Sequence, residues 1–203
     1  MNTDELAPID HEPTPQEALT KGVDLICFSG DKLLGGPQSG IIAGRSELIE
    51  GIKSEPFFRA VRCDKLILTV LQESIDAYLR TQASPMDTDV PNLVALALSS
   101  DQLRARAEIM LEAIGSTSKA DISIAESIAT TGGGTMPRSK IPSISLQIKP
   151  TGISLNKLSK LLRTGLQAIV AYTQDDKLLL DLRTVFDWQD ELVSQRLKEV
   201  LNG

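Results

Sequence analysis

The strongest constraint on this chain is a change of hydrophobic period near residue 115. Between 64 and 114 apolar residues recur at helical spacing, with Ile67, Val70, Leu71, Ile75 and Tyr78 on one predicted face. Asp64 is a good N-cap for a helix over 65–82, Asp89 with Pro91 opens a second helix through residue 98, and 102–114, closed by Gly115, forms a third. Beyond 115 the pattern alternates, predicting strands at 120–125, 143–149, 167–173 and 178–185. A helix over 154–163 separates the second strand from the third, 174–177 make a tight turn, and Asp187 caps a last helix to 201. This order of elements predicts a small α+β domain, with helices on one face of a largely antiparallel sheet.

The amino-terminal part is organised differently. Residues 1–16 hold Pro8, Pro13 and Pro15 among acids and predict an extended lead-in, with a turn or two of helix over 16–21. Two short apolar runs, 23–28 and 41–43, predict buried strands. Between them 29–40, SGDKLLGGPQSG, carry four glycines in twelve residues and predict a loop. Ser46 caps a predicted helix over 47–53 that Pro56 stops.

With 203 residues, 41% of them hydrophobic, the chain holds enough apolar material for a sizeable core, in one domain or two small ones. Its apolar runs are far shorter than the roughly 18 residues of a membrane span, and neither a membrane helix nor a signal peptide is expected. Cys27 and Cys63 form no CxxC pair, which predicts neither a disulfide framework nor a thiolate metal site and makes a reducing cytoplasm the default compartment. A net charge of −6 with seven aromatics argues against a general nucleic-acid coat. The charge is uneven, however. The first twenty residues carry five acids and no Lys or Arg, whereas 127–174 carry Arg138, Lys140, Lys149, Lys157, Lys160 and Arg163 and no acid. Solvated faces are the simpler account of that stretch, with an anion-binding surface as the alternative.

Lys32 is the leading candidate for chemistry, because it lies at the mouth of a predicted strand in a loop whose glycines allow close approach to a ligand. A lysine there is ordinarily just an exposed charge, but a desolvated amine forms a Schiff base with a carbonyl compound or pyridoxal phosphate. Ser29, three residues earlier, offers a hydroxyl to a phosphate. The loop has neither the GxxxxGK[ST] of a nucleotide-binding P-loop nor a GxGxxG fingerprint. With His11 as the single histidine, a serine–histidine triad is improbable and a histidine metal cluster within the chain is excluded. Arg59 and Arg62 suit a carboxylate or phosphate if the segment after Pro56 is helical, with plain solvation as the other reading. Gly132, Gly133 and Gly134 read more readily as a flexible connection than as an oxyanion nest. Arg183 has an apolar setting that predicts partnered burial, with Asp181 as a possible partner.

Four blocks, FSGDKLLGGPQSGII, RAVRCDKLILTVLQESIDAYL, GGGTMP and DDKLLLDLRTV, resemble bacterial selenocysteine synthase, L-seryl-tRNA(Sec) selenium transferase, in that family's order and over about residues 12–201. The resemblance implies an α/β chain, part of a fold-type I (aspartate aminotransferase-like) transferase. Residues 17–100 would be the carboxyl-terminal part of the large cofactor domain with its connecting helices, and 101–203 the small α+β domain. It implies that Lys32 binds pyridoxal 5'-phosphate covalently, with Ser29 near the cofactor phosphate. Asp31 would be an active-site acid, and Arg59 and Arg62 would serve an anionic selenium donor. The implied reaction converts seryl-tRNA(Sec) with selenophosphate to selenocysteinyl-tRNA(Sec). Only the carboxyl-terminal half of such an enzyme is matched, so a homo-oligomer or a complementary amino-terminal half is the expected partner. Two other readings accompany it: a related pyridoxal-phosphate lyase acting on a small amino acid or amino sugar, and a non-catalytic remnant or oligomerisation subunit. Residues 1–62 are expected to be the least stable part.

Overall fold

The computed structural model describes residues 9, 11–80 and 90–203. The expected cap Asp89, the helix end expected at 82 and most of the lead-in lie outside these residues. Two compact units make up the chain, one of Met1–Ala97 with Thr131–Ser139, the other of Leu98–Thr130 with Lys140–Gly203. The connection between two strands of the second unit is thus counted with the first.

The second unit contains α6 (Ser100–Ile114), β3 (Ala120–Ala129), β4 (Ile141–Pro150), α7 (Leu155–Arg163), β5 (Tyr172–Gln174), β6 (Lys177–Asp181) and α8 (Asp190–Asn202). The strands form an antiparallel sheet in the order β3-β4-β6-β5. Register places Ile122, Ile148 and Leu178 in one cross-strand row and Ile124, Leu146 and Leu180 in the next, so all six point to one face. Leu103, Ala107, Met110 and Ile114 of α6, Leu158 and Leu162 of α7, and Leu197 and Leu201 of α8 join them in a single core. This is the expected helix-on-sheet layering.

Local chemistry sets the boundaries. Ser99 caps α6 in a reciprocal capping box with Gln102, and Gly115 closes it at φ 68°. Asp175 and Asp176 adopt φ 50° and 57°, the two-residue turn that matches strand twist and joins β5 to β6. Two expected strands are shorter than predicted. β5 begins only at Tyr172, because the Ile169 amide is taken by the Leu162 carbonyl and its side chain enters the core. β6 ends at Asp181, whose carboxylate accepts the Arg183 N–H at 3.0 Å and turns the chain into a 3-10 turn over Leu182–Thr184. A second 3-10 turn, Asp187–Gln189, likewise precedes α8, so Asp187 does not cap that helix directly.

In the first unit, α1 (Pro15–Thr20) starts from a Thr14–Glu17 capping box. β1 (Leu25–Ser29) and β2 (Gly40–Gly44) pair antiparallel, from Leu25 opposite Gly44 to Ser29 opposite Gly40. They are not the buried strands expected: Cys27 and Ile42 are exposed and the remaining apolar side chains only half-buried, since a two-stranded ribbon has no sheet neighbours to cover it. α2 (Ser46–Ser54) has Arg45, not Ser46, in the capping position. α3 (Phe58–Val61) is one turn. α4 (Lys65–Arg80) is capped by Asp64, which accepts the Ile67 N–H at 2.9 Å, yet contains no fully buried residue. α5 (Pro91–Ala97) contributes buried Leu93 and Leu96. No helix among the described residues is long and apolar enough to cross a membrane.

Candidate functional site

Lys32 stands three residues beyond β1, in a turn held by main-chain bonds. The Gly30 N–H donates to the Ser39 carbonyl and Gly36 to the Gly30 carbonyl, each at 2.8 Å, while Gly35 donates to the Lys32 carbonyl at 2.9 Å. Glycine is required at Gly30, where a Cβ would meet Ser39 Oγ at 2.2 Å and the Pro37 carbonyl at 2.9 Å.

Two distant side chains fix the backbone at the lysine and at the residue after it. The Tyr78 hydroxyl donates to the Leu33 carbonyl at 2.6 Å, and Asn92 Nδ2 donates to the Lys32 carbonyl at 3.0 Å. Burial pushes the Tyr78 phenol up to about 12, so it stays a donor through the physiological range.

The Lys32 ammonium pairs with Asp31 Oδ2 at 2.9 Å. Its hydrogen bond holds the Asp31 carboxyl below the usual carboxylate range. The aliphatic stem of Lys32 runs along the second glycine run, where a Cβ on Gly133 would lie 3.2 Å from Lys32 Cδ and 3.3 Å from Cε. Gly133 and Gly134 have φ 68° and 77°. The run expected as a flexible connection therefore forms one wall beside the lysine.

Lys32 and Ser29 line a pocket of about 580 Å³ together with Phe28, Leu34, Ile75, Tyr78, Leu79, Pro13–Pro15 and Thr135. The lining is mainly apolar around one amine and the Glu12 carboxylate, with hydroxyls from Ser29, Thr14, Tyr78 and Thr135. Such a lining suits a flat organic ligand with a few polar substituents.

The structure brings Ser29, Asp31 and Lys32 together at one turn. Arg59 lies on α3 and Arg62 at its carboxyl-terminal boundary, both exposed, and neither lines the pocket. Because Arg62 leaves the helix with ψ 140°, the shared helical face expected of the pair is interrupted. Sequence reasoning missed Tyr78, Asn92 and Gly133 as supports of the lysine. Tyr78 was legible only as part of an apolar helix face, and nothing local marks Asn92.

Residues 5–186 match the family of L-seryl-tRNA selenium transferase. The chain belongs to this family. Curated selenium transferases bear this out. The L-seryl-tRNA(Sec) selenium transferase of Moorella thermoacetica is 36% identical over 197 residues, 96% of this chain and 42% of the relative. That of Alkaliphilus oremlandii is 36% identical over 195 residues, 95% and 41% of the two chains. The Mannheimia succiniciproducens protein is 41% identical over 177 residues, 86% and 38%. The chain thus spans about two fifths of the length of the selenium transferases it matches, and the mixed helix-and-sheet architecture agrees with membership.

Proposed function

We propose that this chain supplies the lysine-bearing part of a pyridoxal-phosphate-dependent selenium transferase, converting seryl-tRNA(Sec) to selenocysteinyl-tRNA(Sec) with selenophosphate as donor. The observation that carries the reading is Lys32, its own carbonyl and the next one held by Asn92 and Tyr78, lining a mainly apolar pocket in a chain of this family. Under this reading, the first unit is part of a fold-type I large domain, and a second copy or a complementary amino-terminal chain completes the pocket.

The residues present fit pyridoxal phosphate. The ring needs apolar walls, the aldehyde an amine, and the phosphate hydroxyl or amide donors; Phe28 and Ile75, Lys32, and Ser29 are of the right types. Gly133, without a Cβ, leaves the lysine stem room to reorient. When bound, the cofactor supplies an electron sink for loss of the α-proton and β-hydroxyl of the seryl group. Lys32 holds the cofactor and, once freed, takes the α-proton. Asp31, 2.9 Å from Nζ, orients the amine for handing that proton back. Arg59 and Arg62 are assigned to the anionic donor on charge alone.

The test is an absorbance scan of the purified chain with pyridoxal phosphate, alone and mixed with an amino-terminal half from a relative, beside Lys32→Ala. A lysine-dependent band in either sample, followed by selenium transfer to seryl-tRNA(Sec), is the expected result. No lysine-dependent band in either sample would overturn it. A band with turnover of free amino acids, and none of seryl-tRNA(Sec), would favour a related lyase.

A further inference from the structure

We propose that the solvent face of α7 is a contact for the phosphate backbone of RNA, carried by the second unit independently of the lysine pocket. The inference rests on the reading that the substrate is a tRNA, and names a surface that would hold it.

On a helix of 3.6 residues per turn, Leu155, Leu158 and Leu162 fall on one side of α7, where Leu158 and Leu162 are fully buried. The opposite arc consists of Lys157, Lys160, Arg163 and Asn156, all exposed. It contains no acid, and the nearest acids in the chain are Glu126 and Asp175. Among the described residues no carboxylate pairs with these three cations.

Helix stability does not account for this arrangement. Lys160 and Arg163 in the last turn suit the helix dipole, but Lys157 is in the first turn, where a cation is unfavourable. α1, α2, α6 and α8 each place an acid there, whereas α3, α4, α5 and α7 have none. Lys157 and Arg163 are about 9 Å apart along the axis, at 1.5 Å per residue, so the stripe can follow neighbouring phosphates on one strand. A chain of net charge −6 repels a polyanion over most of its surface, which makes an acid-free cationic face the place where RNA would seat.

The test titrates the full chain with a tRNA(Sec) transcript, read by fluorescence anisotropy over a range of KCl. Combined Lys157→Glu, Lys160→Glu and Arg163→Glu should weaken binding at low salt at least about tenfold and flatten the plot of log K against log [KCl] by about 2–3, at about 0.7–0.9 per phosphate. Equal reversal at Arg45, Lys53 and Arg104, each already paired with an acid, should move the slope by less than about one. Equal losses from both triples would overturn the proposal, as would unchanged binding, or binding of anionic phosphatidylserine vesicles without RNA binding. If the reversal triple misfolds, the wild-type chain photo-crosslinked to 4-thiouridine RNA decides, since adducts should map to 155–163 and their absence there refutes the site. Lys32→Ala should leave RNA affinity unchanged. Failure of the cofactor reading is therefore seen in the absorbance band, and failure of this one in the salt slope.

Discussion

The Tyr78 hydroxyl and the Leu33 carbonyl, 45 residues apart in the chain, meet at 2.6 Å and tie α4 to the turn that carries Lys32. Removing that hydroxyl leaves a half-buried carbonyl without its donor. Tyr78→Phe should lower the unfolding free energy by about 0.5–1.5 kcal/mol, measured by urea denaturation. It should also speed amide exchange over 30–36, and an unaltered exchange pattern there would contradict the assignment.

The same phenol sets a limit in alkali. Its folded value, about 12, exceeds the ordinary value of 10.0. Its contribution is therefore complete below the unfolded value and is lost as pH rises from there through the folded one. Spectroscopic titration of tyrosinate should show a component ionising above the ordinary value, and that component should vanish in Tyr78→Phe.

Two adjacent glycines separate strain from contact. Gly133 and Gly134 both have positive φ, so alanine at either should cost of order 1 kcal/mol in backbone strain. Only at Gly133 would the added methyl press on the Lys32 stem; at Gly134 it meets nothing within 4 Å. Gly133→Ala should weaken the lysine-dependent absorbance band several-fold, and Gly134→Ala much less, at similar melting temperatures.

In the second unit, Arg106 binds both carboxylate oxygens of Asp190, at 2.7 and 2.8 Å, and the Val185 carbonyl at 2.7 Å. This largely buried fork holds α6 to the start of α8. Arg106→Ala should cost about 2–4 kcal/mol, and Arg106→Lys should recover less than half, because an ammonium cannot reproduce the paired geometry. Equal stability of the lysine variant and the parent chain would refute the bidentate role.

On the face of the sheet away from the helices, Asp181 accepts from Ser127 at 2.8 Å and from Ser143 at 2.7 Å, and Ser145 donates to Ser127 at 2.9 Å. Ser143 and Ser145 are fully buried. Asp181→Ala strands these hydroxyls and should cost about 2–3 kcal/mol by calorimetry. Ser127→Ala, which leaves the acceptor in place, should cost clearly less.

What was legible in the sequence was what local chemistry determines. The cap Asp64 and the turn at 174–177 could be placed from their neighbours alone, as could the alternation that builds β3 and β4, whereas Ser46 and Asp187 do not cap the helices expected of them and sequence reasoning missed Ser99 as a cap. Arg183 was read as buried, and it is, donating to the Leu98 and Pro142 carbonyls while burial lowers its proton affinity and Asp181 opposes that. The degree of burial of β1, β2 and α4 was not legible, because an apolar run states what could be covered and not whether anything covers it; Leu66 remains 77% exposed. At the candidate site Lys32 and its glycines were visible as a local pattern. Its anchors come from 45 and 60 residues away, and Gly133 from farther still, a distance over which only the tertiary fold establishes proximity.

The excursion Thr131–Ser139 leaves the second unit and serves the first. A gene cut after codon 97 would therefore encode Lys32 without the glycine that gives its stem clearance, and the downstream product would carry nine residues with no role of their own. Expressed pieces that preserve each unit must either splice the excursion into the upstream product or shorten the β3–β4 link to a tight hairpin. The wall beside the lysine is likewise not encoded in one stretch of codons: Gly133 and Lys32 meet although 101 positions separate them.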